Sequence, residues 1–199
     1  MNFLPNAELF LLSRKKLVKK STVDLFEGKD ILLIGINGAF TPTDTEMVKA
    51  FEKEYDTFLK ETIVDEIYFV AMNDPYVMDA WWKSMKIKKC KYLPDGNGAL
   101  VMRIDHQGGM SGGLTVIEMY NKGMGKRAWR FALLLENNCQ MTYLEEETPD
   151  NAGTRDNLPD DPYILTTPEL VLEHLKNRDQ VSHIDEVNKT SLDLSIAVK

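Results

Sequence analysis

The chain has 199 residues, 43% of them hydrophobic, with 24 Lys and Arg against 31 Asp and Glu for a net charge of -7. That length buries one sizeable core and requires no second domain, and the negative balance opposes nucleic acid or an anionic membrane surface as the main partner. Two cysteines, Cys90 and Cys139, are too few for a disulfide framework, so a reducing cytoplasm is the expected location.

At the N-terminus, the basic residues follow the apolar stretch Met1-Asn2-Phe3-Leu4-Pro5, the wrong order for a signal peptide. No run approaches the roughly 20 apolar residues of a membrane helix. Alternation in Glu8-Leu9-Phe10-Leu11-Leu12, then Ser13-Arg14-Lys15-Lys16 and Leu17-Val18, predicts an N-terminal hairpin. Gly28-Lys29-Asp30 turns into an apolar run, Ile31 to Ile36, that reads as a buried strand. A helix is expected from near Glu46, with Met47, Phe51, Tyr55 and Leu59 forming its apolar stripe.

A second strand, Glu66 to Met72, runs into Asn73-Asp74-Pro75. Either polar residue can cap a helix there, and proline suits the first helical position. Tyr76, Val77, Ala80 and Trp81 would line its core face. Strand, helix, strand, helix implies a right-handed crossover and parallel central strands. Arg130 to Leu135 and Cys139 to Leu144, separated by Glu136-Asn137-Asn138, read as an antiparallel hairpin, and Thr166-Thr167-Pro168-Glu169 starts a helix to about Lys176. The resulting β-α-β-α-β-β-α order is that of a thioredoxin-like α/β fold: a central mixed sheet flanked by helices, with the N-terminal β-hairpin added.

Residues 145–162 read as a solvated acidic loop. Over 136–186, thirteen Asp and Glu stand against three Lys and Arg, a surface face that could also dock a basic partner. The domain is expected to span 1–177, followed by a C-terminal tail over 178–199 whose alternating Leu192 to Val198 could pair as an edge strand or stay disordered. Gly108 to Thr115 nearly satisfies the phosphate-loop pattern but has Leu114 in place of its lysine and reads as a flexible loop. His106, His174 and His183 share no ligand spacing with either cysteine, so neither a metal nor a cofactor is expected. Trp81, Trp82 and Trp129 read as core residues before interface ones.

Chemistry concentrates where the first buried strand runs into its helix, at Asn37-Gly38-Ala39-Phe40-Thr41-Pro42-Thr43-Asp44. Unpaired backbone N–H groups and the positive end of the helix dipole favour an anion at such a place. The octet resembles the active-site loop of type-5 peroxiredoxins, Pro-Gly-Ala-Phe-Thr-Pro-x-Cys, in which the cysteine attacks peroxide. Val70 to Trp81 is similar to the family stretch Val-Asn-Asp-Pro-Phe-Val-Met-x-x-Trp. Gly125-Lys126-Arg127-Ala128-Trp129-Arg130-Phe131 resembles Gly-x-Arg-Ser-x-Arg followed by an aromatic residue, with Ala128 where serine is usual. The resemblance covers roughly residues 1–177.

It implies a thiol-dependent peroxidase ancestry, no cofactor, glutathione or a thioredoxin-like protein as reductant where redox activity remains, and a homodimer packed near the active-site loops, in which Phe40 would take part. It also assigns catalytic positions to Thr41, Asp44 and Arg130, with Asp44 standing at the peroxidatic cysteine. A carboxylate oxygen cannot pass to a sulfenic acid, so peroxidase activity through position 44 is expected to be absent. An ion pair with Arg130 would preserve the pocket, and a binding or structural role would follow. Beside a different reaction using Asp44 and Arg130, two alternatives stay open. One is a redox enzyme or sensor using Cys90, whose neighbours in Lys86-Ile87-Lys88-Lys89-Cys90-Lys91 would lower its pKa if it is exposed. The other is an engineered Cys-to-Asp form, against which Asn37 in place of the loop's first proline speaks. Cys139 is expected to be buried and inert.

Overall fold

The computed structural model describes residues 3–106, 116–147 and 163–178, with the backbone alone at 105–106. The glycine-rich stretch 108–115, most of the acidic loop, His183 and the tail from 179 lie outside the described residues, as do the side chains of Asp105 and His106.

A five-stranded sheet organises the rest. Its strands are β3 (Ile31–Gly35), β4 (Glu66–Ala71), β5 (Lys91–Pro94), β8 (Phe131–Glu136) and β9 (Gln140–Glu146), in the order β5-β4-β3-β8-β9. β3, β4 and β5 run parallel, while β8 and β9 are antiparallel to their neighbours, giving a mixed sheet. Between the strands come α2 (Pro42–Glu61), α3 (Pro75–Met85) and the short α4 (Val101–His106). Helix α5 covers 168–178. β1 (Glu8–Ser13) and β2 (Lys16–Ser21) form the expected hairpin, followed by α1 (Thr22–Phe26), and β6 (Val116–Met119) pairs with β7 (Gly125–Ala128) in a second small ribbon.

Strand alternation assigns the two layers. Leu32 and Ile34 of β3 face one core with Phe51 and Phe58 of α2, Trp81 and Trp82 of α3, and Val171 of α5. Ile31 and Leu33 face the other, with Leu9 of the hairpin, Phe26 of α1 and Val101 of α4. Because both faces are covered, β3 is buried at every position, which is why it reads as an unbroken apolar run.

Four expectations are corrected. α2 begins at Pro42, four residues earlier than read, because proline at its first position fits the helix while Thr-Pro-Thr looks like a loop. Its buried stripe is Asp44, Met47, Val48, Phe51 and Phe58, and Leu59 is exposed. On α3 the buried residues are Met78, Trp81 and Trp82, whereas Tyr76 and Ala80 face outward. The rotation follows from Trp82, whose ring lies 5.8 Å from Phe69 and 5.4 Å from Tyr92. Cys139 lies in the β8–β9 turn, not in a strand, in a run of three residues with left-handed backbone (Asn137 to Cys139), but it is buried as expected.

Candidate functional site

The site assembles where β3 ends. Gly35 pairs with Phe131, and a Cβ at Gly35 would sit 2.3 Å from the Phe131 ring and 2.6 Å from the Trp129 carbonyl. The absence of a side chain therefore lets the start of β8 lie directly against β3, which delivers Arg130 to the loop after it. Asn37 and Gly38 are buried beneath this junction.

From there the chain turns into α2. Thr41 is its N-cap in extended conformation, Pro42 occupies the first turn, and Asp44 falls within that turn. Asp44 does not face solvent. It is fully buried, and so is Arg130, whose Nε donates to Asp44 Oδ1 at 2.7 Å. The other carboxylate oxygen, Oδ2, accepts from the Gly38 N–H at 2.9 Å and lies 2.6 Å from the Thr41 hydroxyl. That hydroxyl also lies 3.0 Å from the Gly38 carbonyl; with one proton to give, it favours the charged acceptor. Guanidinium, backbone N–H, hydroxyl and the helix start thus converge on a single carboxylate. Taking two such ions out of water costs several kcal/mol each, so only a set of hydrogen bonds this complete makes the burial tolerable.

Surrounding residues fix the loop. Asn73 Oδ1 accepts from the Ala39 N–H at 3.0 Å, while Asp74 caps α3 through the Tyr76 and Val77 N–H groups. Asp74, then, is the cap of α3, and Asn73 reaches across to the octet instead. Trp81 Nε1 donates to the Thr45 hydroxyl at 3.3 Å, and that hydroxyl donates to the Thr41 carbonyl at 2.7 Å. Phe40 is held with φ 65°, a left-handed conformation that strains a non-glycine residue, and is 58% exposed. A second guanidinium approaches too: Arg127 donates from Nε to the Met124 carbonyl, and its Nη1 lies 3.5 Å from where a Gly38 Cβ would be.

Of the residues singled out in the sequence, Thr41, Asp44 and Arg130 come together; Cys90 does not join them. It sits just before β5, is only 3% exposed, and has the Glu52 carboxylate bonded to its backbone N–H at 2.9 Å. Desolvation first, and then Glu52, push its thiol well above the usual range, with Lys89 acting weakly the other way. The lowered pKa expected from flanking lysines required exposure, which this thiol lacks. Burial raises Cys139 as well.

Glu147, expected in a solvated acidic loop, is instead buried. Its Oε1 accepts from the N–H groups of Ile164 and Thr166 and from the Thr166 hydroxyl, while its own N–H donates to the Arg130 carbonyl. It therefore ties the approach to α5 onto the residue that carries the site's guanidinium. Nothing in Glu145-Glu146-Glu147 separates this carboxylate from its exposed-looking neighbours. His174 is near Tyr143, with Nδ1 3.1 Å from its hydroxyl, and no group of three or more candidate metal ligands occurs among the described residues. No helix among the described residues is long and apolar enough to cross a membrane.

The Redoxin family profile matches residues 2–160. A peroxiredoxin of Rhizobium etli is 37% identical over 158 residues, covering 79% of this chain and 80% of its own length. One from Sinorhizobium fredii is 35% identical over 161 residues, or 80% and 78% of the two chains. Among solved structures, a Plasmodium falciparum antioxidant protein described as a 1-Cys peroxiredoxin superposes with a TM-score of 0.74 at 35% identity, covering 88% of this chain and 97% of that one. The chain therefore belongs to the peroxiredoxin family, and its mixed sheet with flanking helices is that family's thioredoxin-like fold.

Proposed function

We propose that position 44 is the place of the family's peroxidatic cysteine, and that this chain, carrying aspartate there, does not reduce peroxide through it and acts by binding or as a structural component. One observation carries the reading: the 2.7 Å pair between Asp44 and Arg130, with both side chains fully buried. In a thiol peroxidase the attacking sulfur takes up an oxygen of the peroxide, the O–O bond breaks, and a sulfenic acid forms with release of water or alcohol. A carboxylate has no lone pair on an oxidisable atom for that step. What it does reproduce is the charge of a thiolate, so Arg130, Thr41 and the Gly38 N–H keep an anion to hold and the loop keeps its shape.

Family membership and the outward-facing rings of Phe40 and Tyr76, 58% and 57% exposed, support a homodimer formed beside this loop. Buried, unpaired cysteines are compatible with a cytoplasmic setting. A glutathione or thioredoxin-like reductant would be needed only by a form that cycles through a thiol.

The test is peroxide consumption with a thiol reductant, run on the unmodified chain and on Asp44→Cys. The unmodified chain should be inactive, and the variant should consume peroxide and form a dimedone-trappable sulfenic acid at position 44. Turnover by the unmodified chain that Thr41→Val abolishes would overturn the inactive reading. A folded but inert Asp44→Cys would overturn the assignment of position 44.

A further inference from the structure

Two clefts lie away from the Asp44 site. One, of about 300 Å³, runs between the β1–β2 hairpin and the start of α3. Its acidic side chains are committed elsewhere: Glu8 pairs with Lys19, Asp74 caps α3, and Asp95 binds the N–H groups of Leu100 and Val101. The other, of about 320 Å³, opens at the outer edge of β5, bordered by Leu11 of the hairpin. It differs in its rim, which is cationic.

Tyr68 and Trp82 form the buried part of its floor, and the half-buried Tyr92 and Leu11 continue it outward. The rings are fixed before any ligand arrives. Trp82 Nε1 donates to the Cys90 carbonyl at 3.1 Å, Tyr92 donates to Asp79 at 3.2 Å, and the Lys91 ammonium sits 5.4 Å over the Tyr68 ring. Rigid rings with one or two polar groups at the edge make a ligand site, because little conformational freedom remains to be lost on binding.

The rim decides the charge of the ligand. Lys91 is engaged with Glu66 at 2.6 Å, and the same carboxylate also holds Lys29 at 2.9 Å, two cations on one anion. Lys88 is exposed, and its ammonium has no ion-pair partner among the described residues. The nearby Glu52 carboxylate is turned onto the backbone N–H groups of Lys88, Lys89 and Cys90, while Lys89 itself is paired with Asp56. Lys29, Lys88 and Lys91 against Glu66 and Glu52 leave one positive charge over, and Lys88 presents it.

We propose that this cleft binds an amphipathic monoanion, a carboxylate carrying an aliphatic or aromatic body, with the body on Tyr68, Trp82 and Tyr92 and the carboxylate at Lys88. Cys90 lines the cleft only as an apolar wall, because its thiol is buried and protonated. The site is separate from Asp44 and Arg130 and stands whether or not the chain turns over peroxide.

Sodium decanoate is the probe, titrated calorimetrically and by tryptophan emission, with decanol and decylamine as chain-matched comparators. Decanoate should saturate one site per chain and bind up to about fivefold tighter than either comparator, the upper end of what a single exposed ion pair contributes. Lys88→Glu, a change at an exposed position, should remove that advantage, whereas Lys20→Glu on β2, with the same change in net charge, should leave it intact. Equal binding of all three probes, loss of binding in Lys20→Glu to the same extent, or no saturable site would each overturn the proposal. Leu11→Arg provides a second check, because blocking the floor should abolish binding of every probe; retained binding would place the probe elsewhere.

Discussion

Asp44 and Cys90 are two buried acids on the same layer of the molecule, and their surroundings are opposite. Asp44 has no basic residue within six positions along the chain except Lys49, yet in space it meets a guanidinium, a backbone N–H and a hydroxyl. Cys90 is flanked by four lysines in sequence, yet in space it meets apolar walls and the Glu52 carboxylate. Charge acts along the line between groups, not along the chain. Lysine side chains extend into water, where screening leaves them little influence on an atom beneath the surface, while arginine and N–H donors delivered from a neighbouring strand act at hydrogen-bond distance. A position built to hold an anion is recognised by what the fold brings to it.

The largest effect that would break this contrast comes from Arg130→Leu. Removing the guanidinium leaves Asp44 buried with only the Gly38 N–H and the Thr41 hydroxyl, and loss of one partner of a buried pair typically costs about 3–5 kcal/mol. Urea unfolding should show a loss of that size with the slope unchanged. A loss near that of an ordinary surface substitution would mean that the carboxylate is hydrated or protonated in the native protein, and the comparison with Cys90 would fail.

The second effect concerns the thiol. Below its ordinary value of 9.0 the Cys90 thiol keeps its proton in both folded and unfolded chains and contributes no pH dependence. As pH rises past that value, the unfolded chain releases the proton while burial keeps the folded one protonated. Stability therefore falls, by up to about 1.4 kcal/mol per pH unit for one such group. Tyr68, Tyr92 and Tyr143 are raised too and act in the same direction, so the difference between the wild-type chain and Cys90→Ala isolates the cysteine. Denaturant midpoints under reducing conditions, from about pH 8 to about pH 10.5, should decline less steeply in Cys90→Ala. Parallel curves would show that the thiol ionises freely in the folded state.

Some of this is written in local sequence, and some arises only from contacts between distant residues. β3 was legible because burial on both faces leaves no polar position in Ile31 to Gly35, and the start of α3 was legible because Asp74-Pro75 is a cap followed by a residue that cannot donate. The Asp44–Arg130 pair was legible from the loop resemblance together with the electrostatics of a helix start. β5 was missed because four residues, Lys91-Tyr92-Leu93-Pro94, carry too little alternation to stand out. The inward face of α3 was misread because a Trp81-Trp82 pair places a large ring on either of two neighbouring faces, and only Phe69 and Tyr92, from other strands, choose between them. Glu147 was invisible because three consecutive glutamates differ only in which of them meets Ile164 and Thr166.

The smallest effect sharpens the contrast most. Lys89 is adjacent to Cys90 in sequence and pairs with Asp56 at 2.5 Å, but both side chains are well exposed. Lys89→Gln should leave the denaturant midpoint almost unchanged, because an ion pair this exposed contributes little. If lysines alongside a cysteine governed its reactivity, this variant would also slow alkylation of Cys90 by iodoacetamide several-fold. If burial governs it, alkylation of the native protein is limited by opening of the structure, and the rate should follow global stability. In wild-type and Lys89→Gln chains alike it should then stay far below that of the urea-unfolded chain and differ between the two by less than about twofold. A clear slowing at unchanged stability would show that the ammonium reaches the thiol after all, and that the neighbours of Cys90 in sequence are also its neighbours in effect.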